Sequence, residues 1–329
     1  MKITYFGLSI LLLNTVHAKV LIITYNYNNP EFITMQHQTF KKFIEDEYEF
    51  IVFSDAPTES GHKQIDAMCT QCGIKCIRIP QQIHENPYYL PLNMPQIYHN
   101  HTVPSNVRHV HSVQYSLNTL GFDHDDIVVL IDTDMFLIRP LNITAYMKDC
   151  DIAAFMKGSN NEQGATIMYC CPALTLLNMK TLPDRRSLNF NCGWVNGCSA
   201  DSGGFTHYYL KGHPNLRLKY IDSLYSGQLF CSDRFYHNQN QHNVHVPAEK
   251  KIAYWVSKGF NEKEIKFLLK NPDTIQFFME GPHCWFLHYR GGTNYEKLPS
   301  HYHDQKKIFI NEYLQDIMAI DINTLTSTN

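Results

Sequence analysis

A chain of 329 residues, 44% hydrophobic and 13% aromatic, can bury one large core or two modest ones. Its 28 lysines and arginines stand against 31 aspartates and glutamates, a formal charge of −3, which lacks the basic excess typical of a nucleic-acid binder. The 20 tyrosines, 19 phenylalanines and 18 histidines suit a carbohydrate or nucleotide cleft, and equally an aromatic-rich core.

The chain starts with MKITYFGLSILLLNTVHA: Lys2, an apolar run from Ile3 to Leu13, then small Ala18 after Val16 and His17. That pattern predicts a signal peptide over 1–18, cleaved before Lys19. The run is shorter than the roughly 20 residues of a membrane span, and no stable span is expected elsewhere. The expected location is outside the cell or in a secretory lumen, or inside a host cell after delivery. Cysteines at 69, 72, 76, 150, 170, 171, 192, 198, 231 and 284 are even in number, so disulfides are expected, with their connectivity open. CTQCGIKC (Cys69, Cys72, Cys76) resembles part of a zinc site but has no fourth ligand nearby. Asn100 and Asn142 begin glycosylation sequons.

From there strands alternate with helices. KVLIITYN reads as a first strand, PEFITMQHQTFKKFIE as a helix opened by Pro30, and YEFIVFSDA as a second strand ending in Asp55. KCIRIPQQ reads as a short third strand, NVRHVHSVQYSLNTL as a helix, and DIVVLID as a buried strand. Such alternation predicts an α/β fold with a mostly parallel sheet covered on both faces. Ligands of such sheets bind beyond the carboxyl ends of the strands, where Thr24, Tyr25, Asn26, Asp55 and Asp132–Asp134 fall. The second half is less regular. It holds CCPALTLLNMKTLP, a Gly-, Asn- and Cys-rich stretch over 189–205, a hairpin expected around YSGQLFCSDRFY, strand-like CWFLHYRGG and a helix HDQKKIFINEYLQDIM. One domain in two halves, 19–160 and 161–329, is the expected organisation.

The most informative stretch is IVVLIDTDMFLIRP. Asp132 and Asp134 close a buried strand and are followed at once by Met135, Phe136, Leu137 and Ile138. Uncompensated carboxylates in such surroundings are costly. At a strand end they can converge on a divalent cation, and Mn²⁺ or Mg²⁺ prefers oxygen ligands and commonly also binds phosphates. His109 and His111 sit at i and i+2 and share no helix face, so a metal between them is not expected.

VVLIDTDMFLIRP is similar to the DxD region of GT-A-fold glycosyltransferases that use nucleotide sugars, and the resemblance extends over most of the mature chain. TYNYNNPEF and FIVFSDA match places where those enzymes hold the nucleoside. FLHYRGGTNY resembles the HxxG element of the glycogenin-like and bacterial lipooligosaccharide galactosyltransferase-like families. That family continues with Lys-Pro-Trp, where this chain has Thr293, Asn294 and Tyr295. The resemblance implies a Rossmann-like nucleotide-binding half followed by an acceptor-binding half. It implies metal ligation by Asp132, Asp134 and His288, with Gly291 and Gly292 admitting the diphosphate. Donor contacts are expected from Thr24, Tyr25, Asn26, Asp55 and Thr133, and from Arg108, which can pair with phosphate or with an acid of the site. Asp201, as general base or hydrogen-bond partner, and Asn178 are the expected catalytic residues.

The expected activity is metal-dependent transfer of a hexose from a nucleotide diphosphate sugar to a hydroxyl of a sugar, glycan or protein. The alternatives are a catalytically silent carbohydrate- or nucleotide-binding protein on the same fold, and a metal-dependent phosphoester hydrolase. No nucleic-acid partner is expected.

Overall fold

The first strand, β1 (Val20–Asn26), is buried along its whole length. It lies inside a sheet with both faces covered: Val20 and Ile22 enter one core cluster, while Leu21, Ile23 and Tyr25 enter another. The computed structural model describes residues 20–85, 105–161, 164, 166–225, 248–270, 276–280, 283–289 and 300–320.

In chain order there follow α1 (Glu31–Phe43), β2 (Tyr48–Ser54), α2 (Glu59–Cys72), β3 (Lys75–Arg78), α3 (Gln82–Glu85) and α4 (Ser105–Thr119). Then come β4 (Ile127–Asp132), β5 (Met135–Leu137), α5 (Ile143–Met147), β6 (Ile152–Asn160) and β7 (Thr166–Asn178). The remainder comprises β8 (Gly193–Val195), β9 (Cys198–Ala200), α6 (Thr206–Gly212), β10 (Leu218–Tyr225), α7 (Ala248–Ser257), α8 (Glu262–Lys270), β11 (Gln276–Glu280), β12 (His283–His288) and α9 (Ser300–Glu312).

Ten strands form one sheet in the order β3-β2-β1-β4-β7-β6-β10-β11-β12-β5, and β8 and β9 pair separately. From β3 to β10 only β7 runs against its neighbours; from β10 to β5 the pairing is antiparallel. Residues of β4 alternate between the two core clusters, Ile127, Val129 and Ile131 on one face and Val128 and Leu130 on the other. Ile33 and Phe40 of α1 and Ile65 of α2 cover the first face; Val113 and Leu117 of α4 and Tyr209 of α6 cover the second. A third cluster packs Trp255, Leu268 and Ile310 of α7, α8 and α9 against Phe277 and Leu287 of β11 and β12. The expected α/β fold is the one observed: the seven strands from β3 to β10 form a mostly parallel sheet with helices on both faces.

The hydrophobic pattern does not predict α2, because only Ile65 and Cys69 of its residues are buried. Its ends were nevertheless written locally. Thr58 caps it by accepting the Gly61 N–H at 3.1 Å, and Gly73 closes it with φ of 67°, a left-handed conformation that glycine adopts without a Cβ clash. The expected boundary at 160/161 falls between β6 and β7, which pair antiparallel, so the two halves share one sheet.

The segment 1–18, Asn100, Cys231, Gly291 and Gly292 lie outside the described residues, as does most of the hairpin expected at 225–236. Cys69, Cys72, Cys76, Cys150, Cys170, Cys171, Cys192 and Cys284 carry no S–S bond in this structure. Among the described residues, no helix is long and apolar enough to cross a membrane.

Candidate metal centre

β4 and β1 run parallel, with Tyr25 opposite Asp132, so both deliver their carboxyl ends to one edge of the sheet. Beyond Asp132 the chain turns through Thr133 and Asp134 into β5, which pairs with β12 and sets Met135 opposite His288. The Tyr289 N–H donates to the Asp134 carbonyl at 2.8 Å. This change of partner brings His288 to acids far away in sequence. Its Nε2 lies 3.1 Å from Asp134 Oδ1 and 3.9 Å from Asp132 Oδ2. Among the described residues, only Asp132, Asp134 and His288 form a group of three potential ligand atoms all within 4.8 Å of one another. Asp134 and His288 are buried, while the Asp132 side chain keeps 25% of its surface exposed. The group therefore has a closed side and an open one.

Two amides hold the turn. Asn26 Nδ2 donates to Thr133 Oγ1 at 3.1 Å and to the Asn29 carbonyl at 2.8 Å. Gln36 Nε2, from α1, donates to the carbonyls of Asp132 at 2.8 Å and Met135 at 3.0 Å. Asn26 and Thr133, expected as donor contacts, are thus buried parts of the turn's support. Gln36 was not predicted for the site. Its signal is an amide between apolar Met35 and Phe40 on the buried side of an amphipathic helix, where it must find partners.

His109 is the larger omission. Although it shares no helix face with His111, its Nε2 lies 3.2 Å from Asp132 Oδ1, and its ring meets Tyr25 edge-on at 5.6 Å. Burial opposes its charge, but Asp132, Asp201 and Asp55 together raise its pKa above the ordinary histidine range. Tyr25 is itself buried, its hydroxyl 2.8 Å from Ser116 Oγ, and desolvation holds that phenol protonated. Thr24 is fully buried within β1, away from the strand end.

Asp55 follows β2 and is enclosed by its partners. His84 Nε2 lies 2.8 Å from Oδ1, and Arg108 reaches the carboxylate with Nη2 at 2.8 Å and Nε at 3.1 Å. The same guanidinium stands 5.3 Å from the Tyr27 ring centroid. Of the two roles open to Arg108, pairing with an acid is the one observed.

Asp201 pairs with Lys157 of β6 at 2.9 Å, and the two lie partly open to solvent. Lys157, the Ser202 N–H and His109 outweigh burial and hold the Asp201 carboxyl below the ordinary range. The following glycines let this loop pack closely. Gly203 has φ of 91°, and a Cβ there would stand 1.8 Å from the Cys170 carbonyl oxygen.

Asn178 does not join this constellation. Because β7 runs antiparallel to β4, its last residue pairs with Ile127, the first of β4. Five residue steps along the strand separate Ile127 from Asp132, roughly 17 Å. Asn178 Nδ2 instead donates to the Cys150 carbonyl at 3.3 Å.

The donor set fits a hard divalent cation. Two carboxylates brought together in buried surroundings repel each other, and a cation between them offsets both that repulsion and their lost hydration. Carboxylate oxygens with one imidazole and an open side match Mn²⁺ or Mg²⁺ retaining positions for water or phosphate.

No protein-family profile matches the sequence, and no curated protein matches it. Among solved structures, the chain is similar to a mannosyltransferase from Pyrobaculum calidifontis in complex with GDP-Man and Mn²⁺, at 13% identity over 63% of this chain and 55% of that one, with a TM-score of 0.36. It is also similar to core-mannan synthase A from Aspergillus fumigatus in its Mn/GDP form, at 10% identity over 50% of this chain and 61% of that one, TM-score 0.32. A third is TarS 1-349 from S. aureus, at 15% identity over 52% and 50% of the two chains, TM-score 0.31. The chain thus spans between half and two-thirds of the length of these structures.

Proposed function

We propose that this chain is a metal-dependent glycosyltransferase that moves a hexose from a nucleotide diphosphate sugar to a hydroxyl acceptor on a sugar, glycan or protein. The observation that carries the reading is the convergence of Asp132, Asp134 and His288 at the carboxyl ends of parallel strands, the edge where such sheets bind nucleotides. Mn²⁺ or Mg²⁺, when bound, supplies a Lewis acid that stabilises charge on a departing diphosphate.

The chain's own residues divide the remaining work. Asp134 and His288 form the buried wall of the metal site and Asp132 its open lip. Asn26 and Gln36 fix the turn, so the carboxylates are positioned before any ligand arrives. His109 holds Asp132 at Oδ1, whereas His288 lies 3.9 Å from its Oδ2. Asp55 and Arg108, beside Tyr27, form the wall at the end of β2 against which a nucleoside would lie. A carboxyl held below the ordinary range is a weak proton acceptor. Asp201 therefore suits a hydrogen-bonding role toward sugar hydroxyls, with Lys157 fixing its orientation. Export is part of the proposal, supported by the leader-like segment 1–18 and the cysteine content.

The test is a screen of nucleotide sugars with the full chain and Mn²⁺ or Mg²⁺, followed by product analysis with sugar, glycan and peptide acceptors. The proposal expects a glycosylated acceptor and loss of activity on metal chelation. Free sugar or phosphate without acceptor product identifies a hydrolase, and binding without turnover a silent binding protein. No metal-dependent binding of any nucleotide sugar overturns the reading.

A further inference from the structure

The hairpin β8–β9 carries a tryptophan that neither the core nor the metal centre uses. Val195, Cys198 and Ala200 turn inward and pack on Ile167 and Tyr169 of β7. Trp194 and Ser199, paired across the hairpin, lie on its exposed face. Trp255 is fully buried and Trp285 only 9% exposed, whereas Trp194 keeps 44% of its surface in water. Met168 of β7 and Tyr208 of α6, two more of the large apolar side chains left exposed, belong to the same unit.

The hairpin is held in place. Asn196 and Gly197, at φ of 49° and 75°, make the tight two-residue turn that suits twisted strands. Asn196 Nδ2 donates to His207 Nε2 at 3.1 Å, and His207 Nδ1 donates to the Met168 carbonyl at 3.1 Å. Register places the unit at the metal-binding edge of the sheet. Leu130 of β4 and Ala154 of β6 both pair with Thr175, and Lys157 lies three residues beyond Ala154 as Thr133 lies three beyond Leu130. Asp201, one residue past the Gly193–Ala200 pair, meets Lys157 at 2.9 Å. In such a ladder it stands diagonally from Trp194, roughly 7–8 Å away.

We propose that Trp194 is the stacking platform for a pyranose ring of a glycan acceptor, with Asp201 and Lys157 receiving its hydroxyls. A pyranose has a C–H face that is apolar and weakly positive, which matches the negative face of an indole. Its rim of hydroxyls needs acceptors and donors, and the carboxylate and ammonium supply both. A rigid aromatic on a fixed hairpin also costs little ordering on binding. A serine or threonine of a peptide offers no ring face to the indole, so the site selects a glycan.

This inference rests on the glycosyltransferase reading for its acceptor role, and the test keeps the two apart. Fluorescence of the full chain is titrated, without nucleotide sugar, with oligosaccharides ending in glucose, galactose, mannose or N-acetylglucosamine, and with serine- and threonine-containing peptides. The proposal expects a saturable change with at least one oligosaccharide and none with peptides, and loss of that change in Trp194→Phe, which assigns the signal to Trp194. In transfer assays with the responding sugar, Trp194→Ala should raise the acceptor KM by about tenfold, with donor KM and Mn²⁺ affinity little altered. Trp194→Phe, which keeps a ring face, should retain most of the acceptor affinity. No response to any oligosaccharide, a response to peptides alone, or an unaltered acceptor KM in folded Trp194→Ala overturns the proposal and leaves metal-dependent donor binding standing. Failure of every nucleotide sugar to bind removes the transferase reading instead, and the fluorescence titration still decides whether Trp194 binds a glycan.

Discussion

The acids at the β4–β5 turn and those in the rest of the fold are handled differently. Glu264 is 1% exposed, and the chain itself compensates it. Arg139 Nη2 lies 2.6 Å from it, Tyr313 Oη 3.0 Å, and the Asn261 N–H 2.8 Å. Asp151 is similar: it accepts from the Arg217 N–H at 2.9 Å, from Arg217 Nε at 3.1 Å and from Thr181 Oγ1 at 2.6 Å. Asp132 and Asp134, by contrast, are brought to each other and to the imidazoles of His288 and His109. A guanidinium is a permanent cation, and an imidazole is one only when protonated. The first arrangement serves packing, and the second suits a cation that arrives from solution.

The hardest test of that contrast removes a carboxylate from the turn and the guanidinium partner of a buried carboxylate elsewhere. Asp132→Ala and Asp134→Ala should each lower metal-dependent turnover by more than about 100-fold and leave thermal unfolding of the metal-free protein nearly unchanged. Full activity with unaltered metal dependence in both variants would remove the distinction. Arg139→Ala should do the opposite. Stranding Glu264 should destabilise the fold by about 3 kcal/mol in urea unfolding, with Mn²⁺ affinity of the folded protein unaffected by calorimetry.

A pH series sharpens the structural side. Arg217 and Thr181 outweigh desolvation and hold the Asp151 carboxyl down at about 2. A depressed pKa contributes stability above the ordinary carboxylate range and loses it as pH falls through the folded value. Arg217→Ala should therefore destabilise the fold near neutrality. The gap to the unsubstituted protein should close as pH falls toward about 2; a gap that stays constant with pH would assign the loss to packing alone.

The smallest expected effect is at the turn's support. Gln36→Ala should weaken Mn²⁺ binding by roughly tenfold, within the range for residues that orient metal ligands. Measured by titration with the spin-active ion, an unchanged affinity would make Gln36 a packing residue.

Much of this was legible in the chain. The apolar runs 20–23, 50–53 and 127–131 mark strands covered on both faces, because only such strands exclude polar residues from both sides of the pleat. The same rule makes the acids after Ile131 stand out as a strand-end feature, and His288 after an apolar run as their possible companion. Helix α2 was partly legible, in Thr58 and Gly73 rather than in periodicity.

What only the tertiary structure decided is which of these residues meet. Asn178 and Asp132 both end strands, but antiparallel pairing of β7 with β4 puts them at opposite edges of the sheet. His109 and His111 look equivalent on the helix, yet His109 meets Asp132 while His111 stacks on His84 at 5.7 Å. Asp55 appears open to a ligand in the sequence and is enclosed by Arg108 and His84 in the fold. Hydrophobic patterning is a property of single segments, fixed by which face meets water. Side-chain neighbourhood depends on strand direction, register and the angle at which a helix crosses the sheet. Those are settled only when distant segments pack together.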